Sequence, residues 1–281
     1  MEDFFDMTNR QLEKDLIIDT SMWNLLLKIS DDALHVVLYS IVEDNSLILR
    51  KFQFDPTATS KLQALENIIY DNPLLLNEFR RIHCVVEPDH TMVIPAEVTD
   101  TDDRELIFKA IYPDFRGEII AEDNGSRNSI SLIGIPSELN GFLRRTFHNA
   151  TVTGHLTSLC RYFTAKSANA NNMKMMANIR PGSLDLIVLH GGALLAANTF
   201  SFTDPMDAVY YILACRQRLG LDQWSDELLL TGDQTIREAI TPRLRTYLSR
   251  VMPAIFPPQL FKAGKDAMLA PFDLIVTPLC E

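Results

Sequence analysis

Cysteine is scarce. The 281 residues hold four, Cys84, Cys160, Cys215 and Cys280, none in CxxC spacing and all in apolar surroundings. That leaves no disulfide framework and no zinc ribbon, and it reads as buried, reduced thiols. His83, Cys84 and His90 do not read as metal ligands, because neighbours on a strand face opposite ways. No apolar run is long enough to span a bilayer, and the start, Met-Glu-Asp-Phe-Phe-Asp, lacks the basic region of a signal peptide. A cytoplasmic protein without membrane insertion is expected. Positive charge is also short, with 26 Lys and Arg against 37 Asp and Glu. The net charge of −11 argues against nucleic acid as a main partner. There is no Gly-x-Ser-x-Gly, His-Glu-x-x-His, Walker loop or dinucleotide fingerprint, and no low-complexity segment.

What is present is a phrase that occurs twice. Residues 29–56 and 179–205 each read as an extended segment, a turn, a second strand, a second turn, a strand ending Phe-x-Phe, and Asp-Pro. Ile29 and Ile179 lie 150 apart, and Asp55 and Asp204 lie 149 apart. Leu34, Val36 and Leu38 alternate with His35, Val37 and Tyr39, as on a strand with two unlike faces. Leu184 to Leu189 is almost continuously apolar, which suits a strand buried on both faces. Asp44-Asn45 and Gly191-Gly192 tolerate the positive φ of tight hairpins. Asp-Pro then reads as cap and first turn of a helix. Met206, Val209, Tyr210 and Leu213 share one helical face, as do Leu62, Leu65, Ile68 and Ile69.

Between and beyond the copies, strands are expected over 82–87, 92–95, 118–121, 129–135, 151–152 and 227–231. Helices are expected over 57–70, 102–111, 137–147 (capped by Ser137), 155–166 and 205–219. Leu16 to Ile18 reads as a lead-in strand, Thr241-Pro242 as a helix break, and residues 272–279 fit strand or helix. Met173, Met175 and Met176 suit core packing better than a contact surface. Two lobes follow, 1–150 and 151–281, with a hinge near 148–154.

Three meander strands, a helix and a further strand–helix alternation, present twice, resemble the plan of the actin-like ATPase superfamily. That superfamily includes actin, heat-shock chaperones, sugar kinases and the actin-like protein of type IV pilus assembly. The chain looks like a member of an uncharacterised bacterial family with that fold. The resemblance implies an α/β fold of two ribonuclease H-like lobes, each a mixed five-stranded sheet flanked by helices. It places a first phosphate loop on Lys28-Ile29-Ser30-Asp31-Asp32 and a second on Asn178-Ile179-Arg180-Pro181-Gly182-Ser183. An adenosine motif falls on Leu228-Leu229-Leu230-Thr231-Gly232-Asp233.

The resemblance also implies what is missing. Active members carry in each phosphate loop an aspartate that organises Mg²⁺ and the attacking water, and a glycine two residues on that lets the backbone approach the phosphates. Here Lys28 and Asn178 take the aspartate positions, and Ser30 and Arg180 the glycine positions. Lysine cannot ligate Mg²⁺, and a neutral amide replaces a carboxylate poorly. Asp31 and Asp32 read as a polar hairpin tip and less well as displaced ligands. A ribonuclease H-like nuclease would need carboxylates on adjacent strands, where only Glu87 stands, at a strand end.

The first reading is therefore a non-catalytic actin-like scaffold, a pseudo-ATPase, with no cofactor. It would bind a protein partner, self-association included. Its vestigial cleft would hold Lys28, Ser30, Asp31, Asn178, Arg180, Gly182, Thr231, Gly232 and Asp233. The alternative is a switch or weak ATPase that binds ATP or ADP with Mg²⁺ in an altered way, Lys28 and Arg180 being anion contacts. A metal-free anion sensor is a third. Read as turn-tip positions, Lys28→Asp, Ser30→Gly, Asn178→Asp and Arg180→Gly are each expected to cost within about half a kcal/mol where the site is exposed, the two glycines somewhat more.

Overall fold

A computed structural model describes residue 17 and residues 19–280, the side chains of 265 and 266 excepted. The elements are β1 (Trp23–Ile29), β2 (Ala33–Ser40), β3 (Ile48–Gln53), α1 (Lys61–Asp71), β4 (Arg81–Val86), β5 (His90–Pro95), α2 (Thr101–Ile111), β6 (Glu118–Asp123) and β7 (Ser129–Ile135). There follow α3 (Ser137–Thr146), β8 (Thr151–Gly154), α4 (His155–Ser167), β9 (Lys174–Arg180), β10 (Ser183–His190), β11 (Ala193–Ser201), α5 (Pro205–Leu219), β12 (Glu227–Gly232), α6 (Gln234–Arg245), β13 (Val251–Pro253) and α7 (Phe272–Val276).

The two copies of the phrase build two five-stranded sheets of the same order, β3-β2-β1-β4-β8 and β11-β10-β9-β12-β13. In each, the meander is antiparallel and the last two strands add in parallel. Registers agree too. Lys28 stands between His35 and Val85, and Asn178 stands between Asp185 and Thr231. The duplication and the two mixed sheets are as the sequence implies.

Side chains of a strand alternate in direction, so each sheet feeds two cores. On the first sheet, Leu25, Leu27 and Ile29 pack with Leu65 and Ile69 of α1 and Phe142 and Leu143 of α3. Leu26, Val37 and Val85 point the other way, into a cluster with Leu156, Leu159 and Phe163 of α4, Leu274 and Ile275 of α7, and Met176 and Ile187 of the second sheet. The far face of the second sheet packs on Val209 and Ile212 of α5 and Ile240 and Leu244 of α6. Helices α4 and α7 thus form a shared layer between the sheets. That is why residues 272–276, undecided from sequence, are a helix buried along its whole length. Met175 and Met176 are core residues.

Several boundaries differ from expectation for local reasons. Strand β8 pairs with β4, so the first sheet ends at Gly154 and a division at residue 150 cuts off its fifth strand. The first Asp-Pro does not start a helix. Asp55 accepts from the Thr57 amide (2.8 Å) in an exposed turn, and α1 starts six residues on, with Ser60 capping the Gln63 amide (3.1 Å). The second Asp-Pro behaves as expected, with Asp204 and Asp207 forming a capping box. Ser137 is the first residue of α3, preceded by Pro136, and makes no side-chain cap. Helix α6 runs on through Pro242, with Thr241 Oγ1 donating to the Arg237 carbonyl (2.6 Å). Of the lead-in strand, Ile17 is buried, and Leu16 and Ile18 lie outside the described residues.

Strands β5, β7 and β6 form a small antiparallel sheet of their own. With α2 it encloses a core of Ile94, Phe108 and Leu132. Its strands were legible in the sequence, but their separation into a third sheet was not. Among the described residues no helix is long and apolar enough to cross a membrane.

Candidate functional site

The ends of β1, β4, β9 and β12 meet at a cleft of about 680 Å³, closed on its other sides by residues 253–256, residues 268–273 and α6. That volume is in the range of small-molecule sites. Of the nine residues singled out from the sequence, Lys28, Ser30, Asp31, Asn178, Arg180, Thr231, Gly232 and Asp233 line this cleft. Gly182 does not; with φ of 77° it turns the β9–β10 hairpin.

The floor is an ion-pair network. Lys28 Nζ lies 2.6 Å from Asp273 Oδ2 and 2.8 Å from Glu87 Oε1. The other oxygen of Glu87 lies 2.8 Å from an Arg180 terminal nitrogen. Arg180 then grips Asp185 through two nitrogens, at 2.9 and 3.1 Å. Asp185 also accepts from Asn178 Nδ2 (2.9 Å) and Thr199 Oγ1 (2.7 Å), and its Oδ1 sits 3.1 Å from His155 Nε2. The network is dry: Lys28 and Asp273 side chains are 5% and 1% exposed, and Asp185 is wholly buried.

These neighbours set the protonation states. Burial opposes charge on Lys28, yet Asp273 and Glu87 outweigh it and raise its pKa above the usual lysine value. Burial would raise Asp185, but His155 and Arg180 hold it well below the carboxylate range. Asp273 is likewise held down against its burial, chiefly by Lys28. His35, facing the same cleft, is pushed down to about 4 by burial and by Lys28 and Lys51.

This overturns the expectation that the loop substitutions are tolerant turn-tip changes. Lys28, Ser30 and Asn178 are buried, and Ser30 closes the β1–β2 turn by donating through its amide and Oγ to the Ala33 carbonyl (3.0 Å each). Asp31 and Asp32 are the exposed tip residues of that turn, and Asp31 pairs with Lys61 at 3.0 Å. Nor are Lys28 and Arg180 unsatisfied anion contacts, because each already holds carboxylates.

The adenosine-motif segment is also committed internally. Gly232 has φ of 89°, and a Cβ there would stand 1.9 Å from the Ile179 carbonyl oxygen, so no side chain fits. Asp233 donates its amide to that same oxygen (2.7 Å) and caps α6 by accepting from the Ile236 amide (2.8 Å). Its carboxylate sits on the helix N-terminus, which would otherwise favour a phosphate. By sheet position Glu87 is its counterpart, since the Glu87 amide donates to the Ile29 carbonyl (3.1 Å).

Mg²⁺ with nucleotide phosphates does not fit these residues. The aspartate positions present an ammonium and an amide, and the guanidinium of Arg180 lies across the floor. Among the described residues no group of three or more His, Cys, Asp or Glu is placed to hold a metal ion.

Sequence reasoning missed Asp185, Asp273, His155 and Thr199, and saw Glu87 only as a strand-end carboxylate. A signal existed. Lys28, Asp185 and Asp273 are each a lone charge inside an apolar run, and a buried charge needs a partner.

The fold has known counterparts. A crystal structure from Bacteroides thetaiotaomicron VPI-5482, of a protein with actin-like ATPase fold and unknown function, matches with 25% identity and a TM-score of 0.77. The match covers 94% of this chain and 100% of that one. A chain of the PilM–PilN type IV pilus biogenesis complex matches at 14% identity and a TM-score of 0.54, covering 92% and 99%. No curated protein matches the chain. A family model described as a protein of unknown function (DUF3822) matches residues 13–251.

Proposed function

The chain belongs to the DUF3822 family and has the actin-like ATPase fold, and on that premise we propose that it is a non-catalytic actin-like scaffold that binds another protein. The observation that carries this reading is the Lys28–Glu87–Arg180 bridge across the cleft floor. Two cations stand where Mg²⁺ and phosphates would need carboxylates and bare backbone. A protein partner is supported by a second feature. Ile255, Phe261, Met268 and Leu269 are exposed, and Met268 and Leu269 line the cleft itself. On this reading these side chains are the surface that a partner covers. A protein of the same fold is also found in the PilM–PilN complex. On this reading the scaffold works in the cytoplasm, which suits its free thiols.

The test is calorimetric titration of the purified protein with Mg-ATP, Mg-ADP and ATP in EDTA, alongside a phosphate-release assay. No heat of binding and no release above blank are expected. Magnesium-dependent binding would overturn the scaffold reading. It would favour a nucleotide switch using the same cavity.

A further inference from the structure

We infer that Glu87 is a tethered oxyanion: its carboxylate fills an anion site built from Lys28 of the first sheet and Arg180 of the second, and so holds the lobes closed without a bound ligand. The geometry is that of a bridging ligand. One carboxylate oxygen meets Lys28 Nζ and the other meets the Arg180 guanidinium, each at 2.8 Å. The side chain is 10% exposed, so water screens these contacts little. The backbone of Glu87 is pinned by its amide bond to the Ile29 carbonyl (3.1 Å), so the carboxylate reaches across from a fixed point on the first sheet.

Each cation is anchored independently of Glu87. Lys28 is held by Asp273 at 2.6 Å, and Arg180 by both oxygens of Asp185 at 2.9 and 3.1 Å. Removing the Glu87 side chain therefore leaves the two donors in place, facing a vacancy shaped for a small oxyanion such as formate or phosphate. A bound ligand bridging the lobes stabilises the closed form by mass action. A carboxylate attached to the chain does so permanently, because its effective concentration does not depend on supply. The proposal rests on the scaffold reading in one respect, that no nucleotide already occupies the cleft.

The test is thermal unfolding of wild type, Glu87→Ala and Glu87→Ala/Arg180→Ala in sodium chloride, formate and phosphate at matched ionic strength. Hydrogen exchange at residues 29–32 and 180–183 is measured in parallel. Glu87→Ala is expected to melt several degrees lower and to exchange faster in both loops. Formate or phosphate should restore at least half of the loss in Glu87→Ala, none in the double variant, and change wild type little. Equal shifts in wild type and Glu87→Ala, or no restoration in Glu87→Ala, would overturn the proposal. If Glu87→Ala does not fold, the isosteric Glu87→Gln carries the test through exchange, and unchanged protection in both loops would refute the latch. Magnesium-dependent nucleotide binding by wild type would sink the scaffold reading and leave the rescue result standing, so the two failures are distinguishable.

Discussion

Replacing Lys28 by Met keeps the length and most of the volume of the side chain and removes one charge. The ammonium it deletes lies 2.6 Å from Asp273 and 2.8 Å from Glu87. Glu87 retains Arg180, but Asp273, 1% exposed, is left with the amide of Leu274 (2.9 Å) as its hydrogen-bond donor. Breaking a buried pair from one side costs roughly 3–5 kcal/mol, because the remaining charge is stranded away from water. At roughly 2–4 °C per kcal/mol for a chain of this size, the melting temperature should fall by about 6–20 °C. Lys28→Met/Asp273→Leu removes both charges and should recover most of that loss, since an apolar pair of similar volume is often as stable as the ions it replaces.

The pH dependence separates this account from simple loss of packing. In wild type the pKa of Asp273 is depressed, so its contribution is full above the ordinary carboxylate range and is lost as pH falls through the folded value. Without Lys28 the largest lowering cause is gone, and burial should raise that pKa against His155 and Arg180 alone. The stranded acid is then best tolerated protonated, and stability is lost as pH rises. Lys28→Met should therefore be closer to wild type at pH 4.5 than at pH 7 in urea unfolding followed by circular dichroism. A penalty below about 1 kcal/mol at pH 7 would mean that the pair is effectively solvated, and the dry-network account would fail.

Three further outcomes are expected. His35 must stay neutral beside Lys28 and Lys51, with Asp273 and Asp32 only partly offsetting them. Its folded pKa of about 4 against 6.5 makes its contribution full above pH 6.5 and lost as pH falls toward 4. His35→Gln should flatten the stability profile of urea unfolding across that window, and an unchanged slope would exclude His35 as the cause. Gly232→Ala places a Cβ 1.9 Å from the Ile179 carbonyl oxygen at φ of 89°, so its cost should exceed the ~1–3 kcal/mol of backbone strain alone. Gly191→Ala, with open space around it, should lose only about 1–2 kcal/mol, and similar melts for the two would refute the close-approach account. Asp204→Ala should cost about 1 kcal/mol through its lost helix cap, whereas Asp55→Ala, away from any helix start, should change the melt much less.

The sequence by itself determined the two repeated sheets, though not the separate third one. Strand alternation, hairpin residues and the 150-residue repeat are local or periodic signals, and they implied two like sheets whose register the structure repeats residue for residue at Lys28 and Asn178. The candidate residues came from the resemblance to the actin-like ATPases, and eight of the nine line one cleft, because strand ends in equivalent places of a duplicated fold converge. Identical words did not always have identical outcomes: the first Asp-Pro is a turn and the second a capped helix, since Ser60 offers α1 a later start. Only the tertiary structure decided what the cleft contains. Lone charges at Lys28, Asp185 and Asp273 announce that each must be paired, but the partner of Lys28 stands 245 residues away on a short helix that is apolar apart from Asp273 itself. Charge pairing has no period along the chain. It is settled by which apolar surfaces pack together, and here the burial of α7 between the sheets brings Asp273 to Lys28.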